Sequence, residues 1–213
     1  MANRHPHHAQ AWLAPLPGGT RRQFAVGTMI SRPDMDDNRL FRIERGSARI
    51  CLSAEQRELT LGCLWPGSIY VTHTRAWVEA LEDVELTSWP VSSLTRLLGD
   101  NPELAVSAMR EVGMMLHQAI NLIEDLAFRS VESRLARYLL LELDNQAGYL
   151  LRLPGNTGLL ASLLGTSRQT LSSLINRLIR DGILERPDRQ HLQVLDRYRL
   201  QQLADQPGVL SAG

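Results

Sequence analysis

The chain has 213 residues, 44% of them hydrophobic and 22% charged, with no net charge, a length that suits one large domain or two small ones. No apolar run approaches the roughly 18 residues of a membrane-spanning helix, and all 23 basic residues are arginine, which excludes a Schiff-base lysine and a Walker phosphate-binding lysine. The two cysteines, Cys51 and Cys63, cannot supply the four thiolates of an all-cysteine iron–sulfur or zinc site.

The N-terminal stretch MANRHPHHAQAWLAPLPGG has no apolar core and is not read as a secretory signal, so the expected compartment is the cytoplasm, where a disulfide is not expected. Residues 20–95 read as short strands. FRIERGSARICLS (41–53) alternates around Gly46 as a hairpin does; RELTLGCLWPGS (57–68) ends on a Pro66-Gly67 turn; SIYVTHTRAWVEA and DVELTSWPV follow. Strands about ten residues apart predict a β-roll or small barrel, here a sensor-type domain. His73 is the one histidine of that region. It is either a packed, hydrogen-bonded imidazole or a ligand, and periodicity does not choose between them.

Asn101-Pro102 opens a helix, with proline where a first turn tolerates it. Met109, Val112, Leu116, Ala119, Ile123 and Leu126 are spaced 3, 4, 3, 4, 3, a heptad stripe. A second stripe, Ala105, Ala108, Val112, Met115 and Leu122, lies beside it. One stripe alone fits a helix packed on its own domain; two adjacent stripes fit a helix that also meets a second copy, and a homodimer is the favoured reading. VESRLARYLLLEL (131–143) is a further amphipathic helix, and residues 148–155 are a loop or short strand stopped by Pro154-Gly155. The expected division is residues 1–100 as effector domain, 101–129 as dimerisation helix and 130–213 as DNA-binding domain.

GLLASLLGTSRQTLSSLINRLIRDGILE (158–185) has the anatomy of a helix-turn-helix. Leu160 and Leu164 build the buried face of the first helix, Ala161 is small where two helices cross, and Gly165 supplies a permissive backbone at the turn. Ser167 is an N-cap for the second helix, whose Leu171 and Leu174 return to the core. Arg168, Gln169, Ser172, Ser173, Asn176 and Arg177 are left facing outward, side-chain types that meet base edges or phosphates, with Arg180 beyond them. Arg168 and Gln169 are expected to read bases, with Ser173 and Asn176 nearby, and Arg177 and Arg180 to meet phosphate. GILERPDRQHLQVL (182–195) reads as a hairpin wing turning at Arg186-Pro187-Asp188-Arg189. Residues 157–213 carry seven arginines against five acids, a faint basic excess.

That order and those residues resemble the CRP/FNR superfamily of bacterial transcription regulators over about residues 25–200. The resemblance implies an α+β chain: a jelly-roll, cyclic-nucleotide-binding-like β-roll sensor, a long dimerisation helix and a C-terminal winged helix-turn-helix. It implies a homodimer that places two recognition helices on palindromic double-stranded DNA and works with RNA polymerase. Where nucleotide-binding members carry a glutamate and an arginine, this chain has no Glu after Gly67, Thr74 stands at the arginine position and Arg75 is one place off.

The stretch IYVTHTRAWVEALED (69–83), with INLIEDLAF (120–128) and SRQT (167–170), is similar to the CooA-type, carbon-monoxide-sensing branch. That similarity implies haem b, with CO as effector and His73 as the proximal iron ligand. The second ferrous ligand would be an N-terminal amine from the partner subunit, here that of Ala2 after removal of Met1, with His5, His7 and His8 as competitors. Val112, Gly113 and Leu116 match the positions that face the bound gas. The branch's best-known pattern has a cysteine two places before the histidine; this chain has Val71, so a thiolate-to-imidazole switch does not carry over. The alternative is the same DNA-binding regulator with a haem-free sensor for another small effector. A β-barrel metalloenzyme ranks last, since one histidine in residues 20–95 does not make a ligand set and no catalytic constellation is present.

Overall fold

The computed structural model describes residues 18–35, 38–54, 57–72, 74–93, 99, 102–146, 148–154 and 156–206. They form a run of antiparallel strands, a long helix, and a C-terminal set of helices with a small sheet, the α+β architecture that the sequence predicts. No helix among the described residues is long and apolar enough to cross a membrane. The described residues divide into two compact units, 18–53 with 61–119, and 54–60 with 120–206.

The N-terminal strands are β1 (Thr20–Phe24), β2 (Met29–Ser31), β3 (Arg39–Arg45), β4 (Ala48–Ala54), β5 (Arg57–Leu64), β6 (Ile69–Val71), β7 (Trp77–Ala80) and β8 (Val84–Pro90). They make two four-stranded sheets, ordered β1-β8-β3-β6 and β2-β7-β4-β5. Alternate residues of both face one core: Phe41, Ile43, Val84 and Leu86 from the first, Ala48, Ile50, Val78 and Ala80 from the second. Each large side chain buried this way contributes about 1.5–3 kcal/mol.

The hairpin expected around Gly46 does not form. β3 pairs with β6 and β8, β4 with β7, so the two strands flanking Gly46 lie in different sheets. At Gly46 the chain crosses from one sheet to the other at φ +78°, and a Cβ there would run into the Asp83 carbonyl. The partner ribbon crosses at the same corner: Arg45 is opposite Glu85 on β8, and Ala48 opposite Ala80 on β7. Alternation sets which face a residue takes, not which sheet the strand joins. The Pro66-Gly67 turn is present, closed by the Ser68 amide on the Trp65 carbonyl at 2.8 Å and tied to β3 by the Gly67 amide on the Ile43 carbonyl at 2.8 Å.

Helix α1 (Pro102–Phe128) begins on its proline and carries Glu103 in the first turn, where the helix dipole favours an acid. Met115 packs against the β-core. On the other side Val106, Met109, Val112, Leu116, Ile120 and Ile123 are exposed.

In the C-terminal unit α2 (Val131–Gln146) starts two residues after α1 ends. Arg134 explains how both helices end there. Its Nη1 donates to the carbonyls of Asp125, at 3.3 Å, and Arg129, at 3.0 Å, on the side of α1, while Ser130 Oγ accepts the Ser133 amide on the side of α2. Burial pulls the Arg134 guanidinium below its ordinary pKa, and the charge of Asp125 acts the other way. Then come β9 (Leu150–Arg152), α3 (Thr157–Leu163), α4 (Arg168–Arg180), β10 (Leu184–Glu185), β11 (His191–Val194) and α5 (Arg197–Asp205), with the sheet ordered β10-β11-β9. Their core joins Leu135, Leu139, Leu160, Leu171, Ile175, Leu178, Leu192 and Leu200.

Candidate functional site

The α3–turn–α4 segment is fixed by local hydrogen bonds at every end. Asn156 Oδ1 accepts the Leu159 amide at 3.0 Å and starts α3. The helix stops where Gly165 takes φ +60°: the Thr166 amide returns to the Ala161 carbonyl at 3.0 Å and the Gly165 amide to the Ser162 carbonyl at 3.3 Å. That is the paired bonding of a Schellman stop, which needs a left-handed residue. The Leu126 side chain lies directly over Gly165 and leaves no room for a Cβ. Ser167 Oγ then accepts the Thr170 amide at 3.0 Å and starts α4, as expected. The same stop, with Ile183 returning to Leu178 and Gly182 to Ile179, ends α4.

Leu171, Leu174, Ile175 and Leu178 anchor α4 in the core. Ser167, Arg168, Gln169, Ser173, Asn176, Arg177 and Arg180 are exposed, and Ser172 is half-buried. The predicted DNA-binding residues therefore occupy one accessible helix and its cap. Arg177 is engaged: its Nη2 lies 2.6 Å from Glu132 Oε1, a residue of α2. Thr170, exposed at the cap with its hydroxyl 2.8 Å from that of Ser167, was not singled out from the sequence. The hydroxyl three places after a capping serine was the available signal.

The wing is equally determined. Asp188 Oδ1 accepts the Gln190 amide at 2.7 Å and the His191 amide at 2.9 Å, and its carboxylate meets His191 Nδ1 at 2.8 Å. The Gln190 amide first, and the His191 side chain after it, hold the Asp188 carboxyl below the usual carboxylate range. Arg186 donates to the carbonyls of Asp188 and Arg189, which leaves the side chains of Arg189 and Gln190 exposed at the tip. The sequence located this turn but assigned none of its residues a role.

On the sensor side, His73 and Ala2 lie outside the described residues. The neighbours of position 73 are held on both sides. The Thr72 amide donates to the Arg39 carbonyl and the Arg39 amide to Thr72 Oγ1, both at 2.9 Å. The Thr74 amide donates to the Thr72 carbonyl at 2.9 Å, and the Thr74 hydroxyl is hydrogen-bonded to the hydroxyl of buried Tyr70. Tyr70 in turn packs on Phe41 with ring centroids 5.6 Å apart. Burial pushes the Tyr70 phenol up, the Thr74 bond acting against it. Val71 is half-buried opposite Leu40.

Val112 and Leu116 are 64% and 60% exposed, and a Cβ built on Gly113 would have nothing within 4 Å. These three share one open side of α1 with Met109 and Ile123, while Ala119 and Leu126 are half-buried. Both cysteines are free, and burial pushes the Cys63 thiol up, which disfavours the thiolate that binds metal. Among the described residues no group of three or more His, Cys, Asp or Glu could cage a bare metal ion. A haem asks less of the chain, since the macrocycle supplies four nitrogens and the protein only axial ligands. The donor chemistry of one histidine and an open helix face fits that group. A depression of about 370 Å³ on the outer face of β1, β8 and β3 holds none of the predicted cofactor residues; Arg42, Glu44, Glu85 and Thr87 line it, and Arg42 is already clamped on Glu44.

Residues 133–203 match the family model described as a Crp-like helix-turn-helix domain. Among solved structures the chain is similar to a double mutant of CooA from Carboxydothermus hydrogenoformans, with 28% identity, a TM-score of 0.77, and 87% of this chain and 88% of that one covered. It is also similar to the reduced, Fe(II) CO-sensing protein from R. rubrum, with 28% identity, a TM-score of 0.53, and 89% and 91% covered. The c-di-GMP-responsive regulator CLP from Xanthomonas campestris, at 21% identity and a TM-score of 0.75 over 84% of this chain and 95% of that one, shares the fold. The comparison with curated proteins gives no match.

Proposed function

We propose that this chain, a CRP/FNR-type transcription regulator, is a haem-dependent sensor of carbon monoxide that regulates transcription as a homodimer. The observation that carries the reading is the segment IYVTHTRAWVEALED: the only histidine of residues 20–95 lies in sequence between Thr72 and Thr74, each pinned to a neighbouring strand or ring. His73 and the amine of Ala2 would hold the haem iron, which when bound supplies a coordination site for a diatomic gas. Val112, Gly113 and Leu116 on α1 would face that site.

Residues 1–100 act as effector domain, 101–129 as dimerisation helix and 130–213 as DNA-binding domain. The open stripe of Met109, Val112, Leu116 and Ile123, flanked by Ala119 and Leu126, meets its symmetry mate, and a shift in that packing reorients the DNA-binding domains, a ligand-biased two-state equilibrium. Arg168 and Gln169 read bases from the major groove, Ser173 and Asn176 support them, and Ser167, Ser172 and Arg180 lie along the backbone. Two-fold symmetry asks for a palindromic site, with RNA polymerase as the further partner. The chain acts by binding, not as an enzyme.

The test is an absorption spectrum. Haem-loaded, dithionite-reduced protein should show a Soret band that moves on adding CO, and His73→Ala should alter the ferrous band. An unchanged spectrum in that variant removes His73 as a ligand. Absence of any Soret band after reconstitution turns the reading to the haem-free sensor.

A further inference from the structure

We propose that Glu132 is a negative determinant of DNA binding, holding the Arg177 guanidinium so that it is withheld from phosphate. The proposal rests on the DNA-binding reading of α4. Arg177 lies in the last turn of α4 beside Arg180. Among the described residues, Arg168 and Arg180 have no ion-pair partner, whereas Arg177 Nη2 is 2.6 Å from Glu132 Oε1.

Only the Glu132 end of the pair is sheltered, its side chain 25% exposed against 50% for Arg177. Glu132 has a second reason to stay charged and in place: it occupies the first turn of the 16-residue α2, where the helix dipole favours an anion. Arg177 therefore neutralises a carboxylate on its own domain. To reach a phosphate it must leave Glu132, and the abandoned carboxylate would then face the phosphates as a like charge. Two exposed arginines, 168 and 180, contact DNA freely; the third is conditional. Glu132 is the second residue of α2, just past the α1–α2 joint at residues 129–130.

The experiment uses the full chain, wild type and Glu132→Gln, Arg177→Gln and the double variant, on a fluorescent random-sequence duplex of about 25 base pairs from 50 to 200 mM salt. Each released phosphate contact steepens the slope of log affinity against log salt by about 0.9. Glu132→Gln should tighten binding roughly three- to tenfold and steepen the slope by that amount per protomer. Arg177→Gln should abolish the gain in the Glu132→Gln background; in the wild-type background it should weaken binding by uncovering Glu132 while leaving the salt slope unchanged, since no phosphate contact is lost. The proposal is overturned if Glu132→Gln leaves both affinity and slope unchanged, or if Arg177→Gln alone flattens the salt slope as much as it does beside Glu132→Gln. Arg177 is exposed, so its variant reads the second outcome even where Glu132→Gln lowers the melting midpoint. Failure of every protein, wild type included, to bind duplex overturns the DNA-binding reading itself.

Discussion

Asp188 shows how much one side chain can organise. A single carboxylate takes two backbone amides and one imidazole nitrogen, and Arg186 adds the two carbonyl contacts that close the same turn. The carboxyl is exposed, yet the Gln190 amide and His191 keep its pKa below the usual value. A depressed folded-state pKa means that the ionised form holds the turn. Its contribution is whole above the ordinary aspartate value of about 3.9 and is lost as pH falls further, through the lower folded value. The Gln190 amide resonance in a nitrogen-15 NMR titration should therefore carry a step below about pH 3.9, and Asp188→Asn should remove it. A step at or above that pH would show that the carboxylate does not govern the turn.

At the scale of the element, α1 has two unlike sides, one with Met115 on the β-core and one with Leu116 and Ile123 open. Gly113 sits on the open side with empty space around it, so nothing among the described residues requires glycine there. Mid-helix glycine costs about 1 kcal/mol relative to alanine. Gly113→Ala should raise the unfolding free energy of the haem-free protein by up to about that amount in a urea titration. A loss of stability instead would mean that a second copy approaches the helix too closely for a methyl group.

The helix-turn-helix was legible because its signals are local: Ser167 caps, Gly165 stops, and Leu171, Leu174 and Leu178 follow one helical face. The β-domain was legible as a type but not as a topology. Around Gly46 the same alternation serves a hairpin or a sheet crossing, and only pairing with β7 and β8, more than 30 residues away, decides. Glu132 was invisible as a partner of Arg177 for the same reason, since 45 positions separate them.

For the whole molecule, the question is what a neutral chain gains by being doubled. One protomer offers few uncommitted cations on its DNA-facing elements, chiefly Arg168 and Arg180 on α4 and Arg189 at the wing tip. On random-sequence duplex, where Arg168 has no cognate base and meets phosphate instead, about three phosphate contacts would give one protomer a shallow salt slope of roughly −2.7, and two protomers on one duplex about twice that. The same doubling links two weak binding events, so the second becomes effectively intramolecular. The open stripe of α1 is the surface proposed to join them. A charge placed in it, as in Leu116→Asp, removes little packing within the chain, because Leu116 is 60% exposed. The variant should sediment as a monomer with its melting midpoint near that of an equally dilute wild type, and bind random duplex with about half the wild-type salt slope. A variant shown to be monomeric that kept the full slope would place more phosphate contacts on each protomer than the exposed arginines of α4 and the wing provide.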